Sequence, residues 1–443
     1  MHGAVAIDLG ATSGRFAAGW IEDGRIRYEV IEQTPHAAIE RDGVIYWDVE
    51  ALYGLCKRGW DYAAAHFDNP TVGIDSWGVD HGFVSPEGGL VQPPVAYRDL
   101  SHNTEFERFA SHRDQLYADT GIQHQPFNTI YQLAARARQD SALTQCQWLL
   151  TPDLMGFLLT GVRNCELTMA STTQLMGLTG EWSAAAFELI GWPIPPIQPS
   201  LPGSIIAERN GVRLASVGSH DTASAVFGLG PLADDQAFLN VGTWSLLGTL
   251  IDTPLVTDPR FTNERAVDGR VRYLANIPGF YVINRVHEEL GEDLTVPQWL
   301  QTAVPSQQGA DLMRPEFFNP ASMREALSVG LDRVPTTSAE WAGFAMSSLV
   351  HTTADQLSEL ERSTHRSFRE IRVSGGGSAS ESFCQGLANA CGRRVVAGPI
   401  EATLLGNLGV QFWASGTVAN LTEAHRLIAN SIETREYHAQ EGA

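Results

Sequence analysis

The chain begins with an unbroken apolar run, Ala4 to Ile7, which meets a carboxylate at Asp8 and a glycine at Gly10. A run this short, bounded by turn residues, predicts a buried strand. "RFAAGWIEDGRIRYEVIEQTP" follows as two strands that reverse at Asp23-Gly24, a strong two-residue hairpin signal. Together these segments predict an antiparallel meander. "YWDVEALYGLCKRGWDYAAAHF" carries its apolar residues at helical spacing. "TVGIDSWGVDHGFVSPEGGLV" returns to strand, with a turn from Pro86 to Gly89. Residues 100–195 read as mostly helical, punctuated by "HQPFNT" and "LLTPDLMGFLLTG".

Near residue 212 the pattern restarts. "VRLASVGSHDTASAVFGLG" reads as strand, loop and helix, and "AFLNVGTWSLLGTLIDTP" as strand, glycine-bearing turn and strand. "IRVSGGGSASESFCQGLANACG" is a strand, three glycines and a helix; "RRVVAGPIEATLLGNLGVQFWASG" adds another strand and helix. "AIDLGATSGRFAAGWIEDG" and "FLNVGTWSLLGTLIDTP" match as elements of two related halves. The expected architecture is therefore α/β, two domains facing across a cleft. The expected boundary lies in "FGLGPLADDQ", dividing the chain into 1–230 and 231–443.

At 443 residues, 43% of them hydrophobic, each half can bury its own core. With 30 basic and 51 acidic residues the formal charge is −21, which disfavours nucleic acid and anionic membranes as partners. A nucleotide can still bind in a local pocket of backbone N–H groups. The N-terminus lacks the basic and apolar regions of a secretory signal, and no run of about 18 apolar residues suggests a membrane span. Cys56, Cys146, Cys165, Cys384 and Cys391 are odd in number and scattered, as expected of reduced thiols in a cytoplasmic protein. A monomer or small homo-oligomer is expected. None of the 13 histidines has a credible zinc spacing, and no Gly-x-Ser-x-Gly elbow occurs.

Five stretches carry candidate chemistry. In "AIDLGATSGR", glycines let backbone donors approach a phosphate, Thr12 and Ser13 add hydroxyls, and Asp8 can hold a hydrated Mg²⁺. A tight turn of small residues is the other reading. In "GSHDTASAV", Asp221 suits a general base for phosphoryl transfer, with His220 orienting it or the substrate; Asp221 could equally cap the following helix. Gly242 and Thr243 of "NVGTWSLLG" offer a second phosphate contact or a plain β-turn. The three glycines of "VSGGGSAS" allow close approach of a flat or charged group ahead of a helix N-terminus. In "GIDSWGVDHG", Trp77 offers a face for a sugar ring and Asp75 and Asp80 offer acceptors, unless the segment is simply a core strand.

These motifs occur together and in order. Asp8-x-Gly10-x-Thr12 and Gly242-Thr243 resemble the phosphate pattern of the actin-like sugar-kinase superfamily. With "GIDSWGVD", "TGIQHQPFNTIYQL", "GSHDTASAV", "FTNE", "VSGGGS" and "AGPIEATLLGN", the chain resembles the FGGY carbohydrate kinases from residue 4 to about 412. The resemblance implies two actin-like (ribonuclease H-like) ATPase domains that close on ATP, Mg²⁺ and a small-molecule ketose. It implies transfer of the γ-phosphoryl group to a terminal hydroxyl, with L-rhamnulose first among candidate ketoses and L-fuculose, L-ribulose or L-xylulose as alternatives. A sugar or ATP sensor without catalysis would be a reading of a different class; it would need a lost base or a DNA-binding segment. By this resemblance Asp221 matches the catalytic base. Gly78, His220, Asp221, Thr222 and Asn276 match sugar-site positions. Ala11, Thr12, Ser13, Gly14, Arg15, Thr243 and Gly376 match nucleotide positions. Asn284 stands where the family pattern has a glutamine, one methylene longer, and His81 stands where an apolar residue is expected.

Overall fold

The computed structural model describes residues 2–318 and 320–440. The chain forms two compact units. The first holds the chain up to Pro231, then Ile251–Tyr273 and Ala402–Ser431; the second holds Leu232–Leu250, Leu274–Glu401 and the chain from Ile432 on. The first passage from one unit to the other falls after Pro231, one residue past the expected 230/231 division. Two later segments return to the first unit because their apolar faces pack there. Leu404, Leu405 and Leu408, for example, are buried on the helix Ala402–Ala414.

In the first unit, Ala4–Leu9 pairs antiparallel with Ser13–Glu22 and parallel with Thr71–Ser76. The sheet continues through Val212–Ala215, parallel, to Ile205–Arg209, antiparallel, and ends on its other side at Arg25–Pro35. All six residues of Ala4–Leu9 and of Thr71–Ser76 are buried. Both strands are buried on both faces, which is why each carries a short apolar stretch, Ala4 to Ile7 and Val72 to Ile74, rather than alternating residues. The hairpin expected at Asp23-Gly24 is present, with φ of 51° and 70° as a primed turn requires. The helix Val49–His66 starts at Asp48, whose carboxylate accepts from the Ala51 N–H at 3.0 Å. A second core gathers Phe83, Leu133, Trp148, Leu150, Met169 and Phe187 from the largely helical middle of the chain.

In the second unit the topology repeats. Gln236–Val241 pairs antiparallel with Trp244–Ile251 and parallel with Glu370–Ser374, which is followed by Arg394–Ala397. A hairpin closed by a glycine turn, whose first strand leads a parallel run, is therefore common to both units. Both units have the α/β fold of the actin-like, ribonuclease H-like ATPases.

Among the described residues all five cysteines are free, and no helix is long and apolar enough to cross a membrane.

Candidate active site

In the first unit, the turn between Ala4–Leu9 and Ser13–Glu22 closes with Gly10 N–H donating to the Ser13 carbonyl at 3.0 Å. Two of its carbonyls are taken by one residue. His36 places Nε2 2.7 Å from the Gly10 oxygen and donates its N–H to the Thr12 oxygen at 3.2 Å. Among the described residues nothing accepts from the Ala11 and Thr12 amides. The tight turn is present, and it is the same segment that offers a phosphate cradle in the sequence. His36 was not legible in the sequence, since only the fold brings it from the end of the next strand to the turn.

Asp8 and Arg15 face each other in the strand register, and Arg15 donates to Asp8 Oδ2 from Nη2 at 2.9 Å and Nε at 3.1 Å. On the neighbouring strand Asp75 lies level with Asp8. Its Oδ2 accepts from Asn407 Nδ2 at 2.5 Å, while its buried Oδ1 has no hydrogen-bond partner. Burial, and then the charges of Asp8 and Asp221, push the Asp75 carboxyl well above the usual range. Asp8, Asp75 and Asp221 thus form an acidic locale.

Asp221 opens the helix Asp221–Gly228, and His220 occupies the cap position without a side-chain cap bond. The capping reading of Asp221 is therefore corrected: its carboxylate lies inside the first turn. Oδ1 accepts from Thr222 N–H at 2.5 Å and Thr222 Oγ1 at 3.1 Å, with His220 Nε2 3.4 Å away. Among the described residues nothing bonds Oδ2. Burial raises the Asp221 carboxyl above its ordinary range, the nearby His220 lowers it, and Asp8 raises it again. A carboxylate with enhanced proton affinity and one open oxygen has the form of a general base.

The loop before Asp221 is anchored by residues that carry no motif. Ser219 N–H donates to Glu166 Oε2 at 3.2 Å, and His220 N–H donates to Thr168 Oγ1 at 3.2 Å. Ser76 N–H donates to the Ser219 carbonyl at 2.9 Å, joining the loop to the sheet. Two residues past Ser76, a Cβ on Gly78 would meet Thr172 Oγ1 at 3.2 Å. The next residue, Val79, has φ of 69°, a strained conformation for a β-branched side chain.

Asp80 is not a free acceptor. Trp47 Nε1 (2.6 Å), Trp77 Nε1 (2.9 Å) and the Tyr97 N–H (3.1 Å) all donate to its Oδ2, and Gln132 Nε2 donates to Oδ1 at 2.9 Å. Burial pushes this carboxyl up to about 6 despite its four donors. Trp77 is itself buried, its ring 4.2 Å from that of Trp47 between centroids. This pair is core rather than an open sugar platform. His81 is likewise buried, edge-on to Phe83 and Trp148, and desolvation lowers its pKa to about 3. It is a neutral core histidine that substitutes for an apolar residue.

The second unit contains a cavity of about 1340 Å³. Gly242, Thr243, Asn284 and Gly376 all line it, so the fold gathers these sequence positions in one place. The Gly242 and Thr243 carbonyls accept from the Phe280 N–H (3.0 Å) and the Gly279 and Tyr281 N–H groups (both 3.1 Å). These bonds fix the turn against the helix Phe280–Leu290, which carries Asn284. Gly375 has φ of 78°, and a Cβ on Gly377 would lie 2.3 Å from Val241 Cγ1. Gly375 is thus required by backbone geometry and Gly377 by close packing, whereas a Cβ on Gly376 would meet nothing within 4 Å. The opposite wall comes from Gly343, Ser347 and Val350 of the helix Ser338–Thr364. Their i, i+4, i+7 spacing is a signal the sequence offered but that resembles any buried helix face. Asn276 lies on the strand Val271–Pro278, half-buried.

Two family models match most of the chain. The N-terminal domain of the FGGY family of carbohydrate kinases matches residues 4–228, and the C-terminal domain of that family matches residues 237–415. The rhamnulokinase of Bacillus subtilis (strain 168) is 32% identical over 98% of this chain and 94% of its own length. That of Klebsiella pneumoniae (strain 342) is 35% identical over 96% and 92%. Among solved structures, gluconate kinase from Lactobacillus acidophilus aligns with TM-score 0.81 at 18% identity, covering 99% of this chain and 94% of that one. A ligand-bound xylulose kinase from the same organism aligns with TM-score 0.81 at 17% identity and the same coverage. Likeness at this identity establishes the fold.

Proposed function

The chain belongs to the FGGY family of carbohydrate kinases, and from that premise we propose that it phosphorylates L-rhamnulose at its terminal hydroxyl, giving L-rhamnulose 1-phosphate. The observation that carries the choice of ketose is the identity with rhamnulokinases along nearly the whole chain.

Asp221 is the base. Its Oδ2 takes the proton of the attacking hydroxyl as that oxygen bonds the γ-phosphorus and the bond from γ-phosphorus to the bridging oxygen breaks, releasing ADP. The Oδ1 contacts to Thr222 hold the carboxylate for this transfer. A positioned base supplies about 10²- to 10⁴-fold; the remainder comes from positioning and charge stabilisation. The Ala11 and Thr12 amides, the Ser13 hydroxyl and Arg15 suit phosphate oxygens. The cavity holding Gly242, Thr243, Asn284 and Gly376 suits the nucleotide.

A hydrated Mg²⁺ fits the acidic locale. Among the described residues no three metal-type side chains converge on one point. Mg²⁺, however, usually takes one or two carboxylates and keeps its waters. The buried Asp75 Oδ1, without a hydrogen-bond partner among the described residues, belongs to a carboxyl level with Asp8 whose pKa is raised by burial and by the charge of Asp8. Asp8 would hold the ion through its waters. When bound, Mg²⁺ neutralises charge on the phosphate oxygens. The five free thiols suit a reducing compartment, the cytoplasm.

The test is a panel of ketoses with the purified enzyme, the product phosphate being located by NMR. L-rhamnulose should give the highest kcat/KM and a 1-phosphate. A higher value for L-fuculose, L-ribulose or L-xylulose would replace the substrate. Asp221→Asn should lower kcat by about 10²-fold or more while ATP still binds; wild-type turnover would end the base assignment.

A further inference from the structure

Behind Asp221 lies a buried charge cluster that no motif predicted. Arg272 is wholly buried, and its Nη2 donates to His220 Nδ1 at 3.0 Å. Glu264, also buried, brings Oε2 to 3.1 Å from Arg272 Nη2 and 3.2 Å from His220 Nδ1. Arg272 is pinned by its Nε, which donates to the Arg265 carbonyl at 3.0 Å.

We propose that Arg272, with Glu264 as its counter-ion, is a positioning residue for the phosphoryl transfer: it holds the His220 ring as its Nε2–H tautomer, which fixes the Asp221 carboxylate with Oδ2 open to the substrate hydroxyl. The proposal rests on the reading of Asp221 as the base.

A guanidinium has five donors and no acceptor. As donor to Nδ1, Arg272 selects the tautomer with a lone pair on His220 Nδ1 and the proton on Nε2, against the pull of Glu264 Oε2, which lies 3.2 Å from the same nitrogen. That proton faces Asp221 Oδ1, 3.4 Å from Nε2. Together with the two Thr222 donors it commits Oδ1, and reactivity is left to Oδ2. Without Arg272 the balance reverses. Nδ1 would then hold the proton and donate to Glu264 Oε2, and Nε2 would turn a lone pair toward Asp221 Oδ1. Two acceptors in contact repel, and the carboxylate would rotate away. Glu264 compensates the charge of Arg272, which would otherwise be buried without a close counter-ion. The ring itself has little freedom to escape, because the His220 N–H is tied to Thr168 and the ring side chain is only 9% exposed.

The experiment is ¹⁵N NMR of histidine-labelled full-length enzyme, the His220 signals being assigned by their loss in His220→Gln, alongside steady-state kinetics. The wild type should show the Nε2–H tautomer. Arg272→Met should shift His220 to Nδ1–H and lower kcat about 10- to 100-fold, with KM for ATP within about twofold. Arg272→Lys, which keeps a donor, should restore part of kcat and the original tautomer. Because Arg272→Met leaves Glu264 unpaired and can unfold the chain, Glu264→Gln/Arg272→Met is the companion: it removes both charges together and should show the same tautomer shift and loss of kcat. An Nδ1–H tautomer in the wild type overturns the proposal. So does a folded double variant with kcat within about twofold of wild type. Asp221→Asn separates the two readings. If it turns over like wild type, the base assignment falls. If it is inactive while the Arg272 variants keep full kcat, only the positioning role falls.

Discussion

Replacing Gly406 by alanine should damage catalysis from a position outside the site. The helix Ala402–Ala414 crosses the helix Asp221–Gly228 at glycines. A Cβ on Gly406 would lie 1.8 Å from the Ser224 carbonyl oxygen and 2.7 Å from its carbon. Gly228 makes the reciprocal contact, its Cβ 2.0 Å from the Ala402 oxygen. Both obstacles are backbone, so no side chain can swing aside. Since real Cβ atoms essentially never approach within 3.0 Å, the helices must separate by at least about 1.2 Å. Asp221 sits one turn from Ser224 on the helix that moves. A displacement of about 1 Å at a catalytic group costs roughly 10²-fold in rate, and overpacking of this kind costs about 1–3 kcal/mol of stability. The assay is initial-rate kinetics with ATP and ketose varied separately, with thermal unfolding of the same preparations. We expect kcat to fall by about two orders of magnitude, KM for ATP to stay within about twofold, and the melting temperature to drop without loss of the folded state. Gly89→Ala is the control, because its Cβ would meet only Ser85 Oγ at 3.7 Å. A Gly406→Ala enzyme with wild-type kcat and melting temperature would refute the view that this crossing sets the position of Asp221.

Gly377→Ala drives a methyl to 2.3 Å from Val241 Cγ1 at the cavity wall. It should raise KM for ATP by roughly tenfold, about 1.4 kcal/mol, and leave KM for the ketose unchanged; equal effects on both would contradict the cavity assignment. Asp80→Asn puts an amide donor against either the two indole N–H groups or Gln132 Nε2. It should cost about 1–3 kcal/mol in urea unfolding and alter tryptophan fluorescence, whereas an unchanged midpoint would mean the carboxylate is dispensable. His81, with its folded pKa depressed to about 3, contributes stability that is complete above about 6.5 and lost as pH falls below it. His81→Phe should therefore gain on the wild type by up to about 1.4 kcal/mol per pH unit between about pH 6 and 4 in urea unfolding. The comparison cancels Glu166, raised by burial to about 7, and Asp80, both of which act in the opposite direction. A difference independent of pH would show that His81 titrates normally.

Much of the fold was legible because its signals are local. Apolar runs ending in Asp or Gly, the Asp23-Gly24 turn and the restart near residue 212 each depend on residues adjacent in sequence. The turn after Asp8, the second glycine turn and the triple glycine were legible for the same reason, since tight turns and close approach to a backbone need small residues in a short stretch. Less was legible where a residue's environment comes from elsewhere in the chain. Asp80 and Trp77 looked like groups for a sugar; the fold surrounds Asp80 with Trp47, Tyr97 and Gln132 and turns both inward. His81 stood where an apolar residue was expected, and the fold buries it in the core.

The sequence by itself determined two α/β halves of shared pattern, the family, and the short glycine-bearing turns that follow its strands, because these rest on periodicity and on steric limits within a few residues. Only the tertiary structure decided that Asn407, 332 residues from Asp75, bonds its carboxylate. It alone placed helices 402–414 and 221–228 in contact through glycines. It also set Glu264 and Arg272 behind His220. Burial and charge pairing belong to the packed chain. They arise when distant segments exclude water from the same place, and no run of neighbouring residues encodes that.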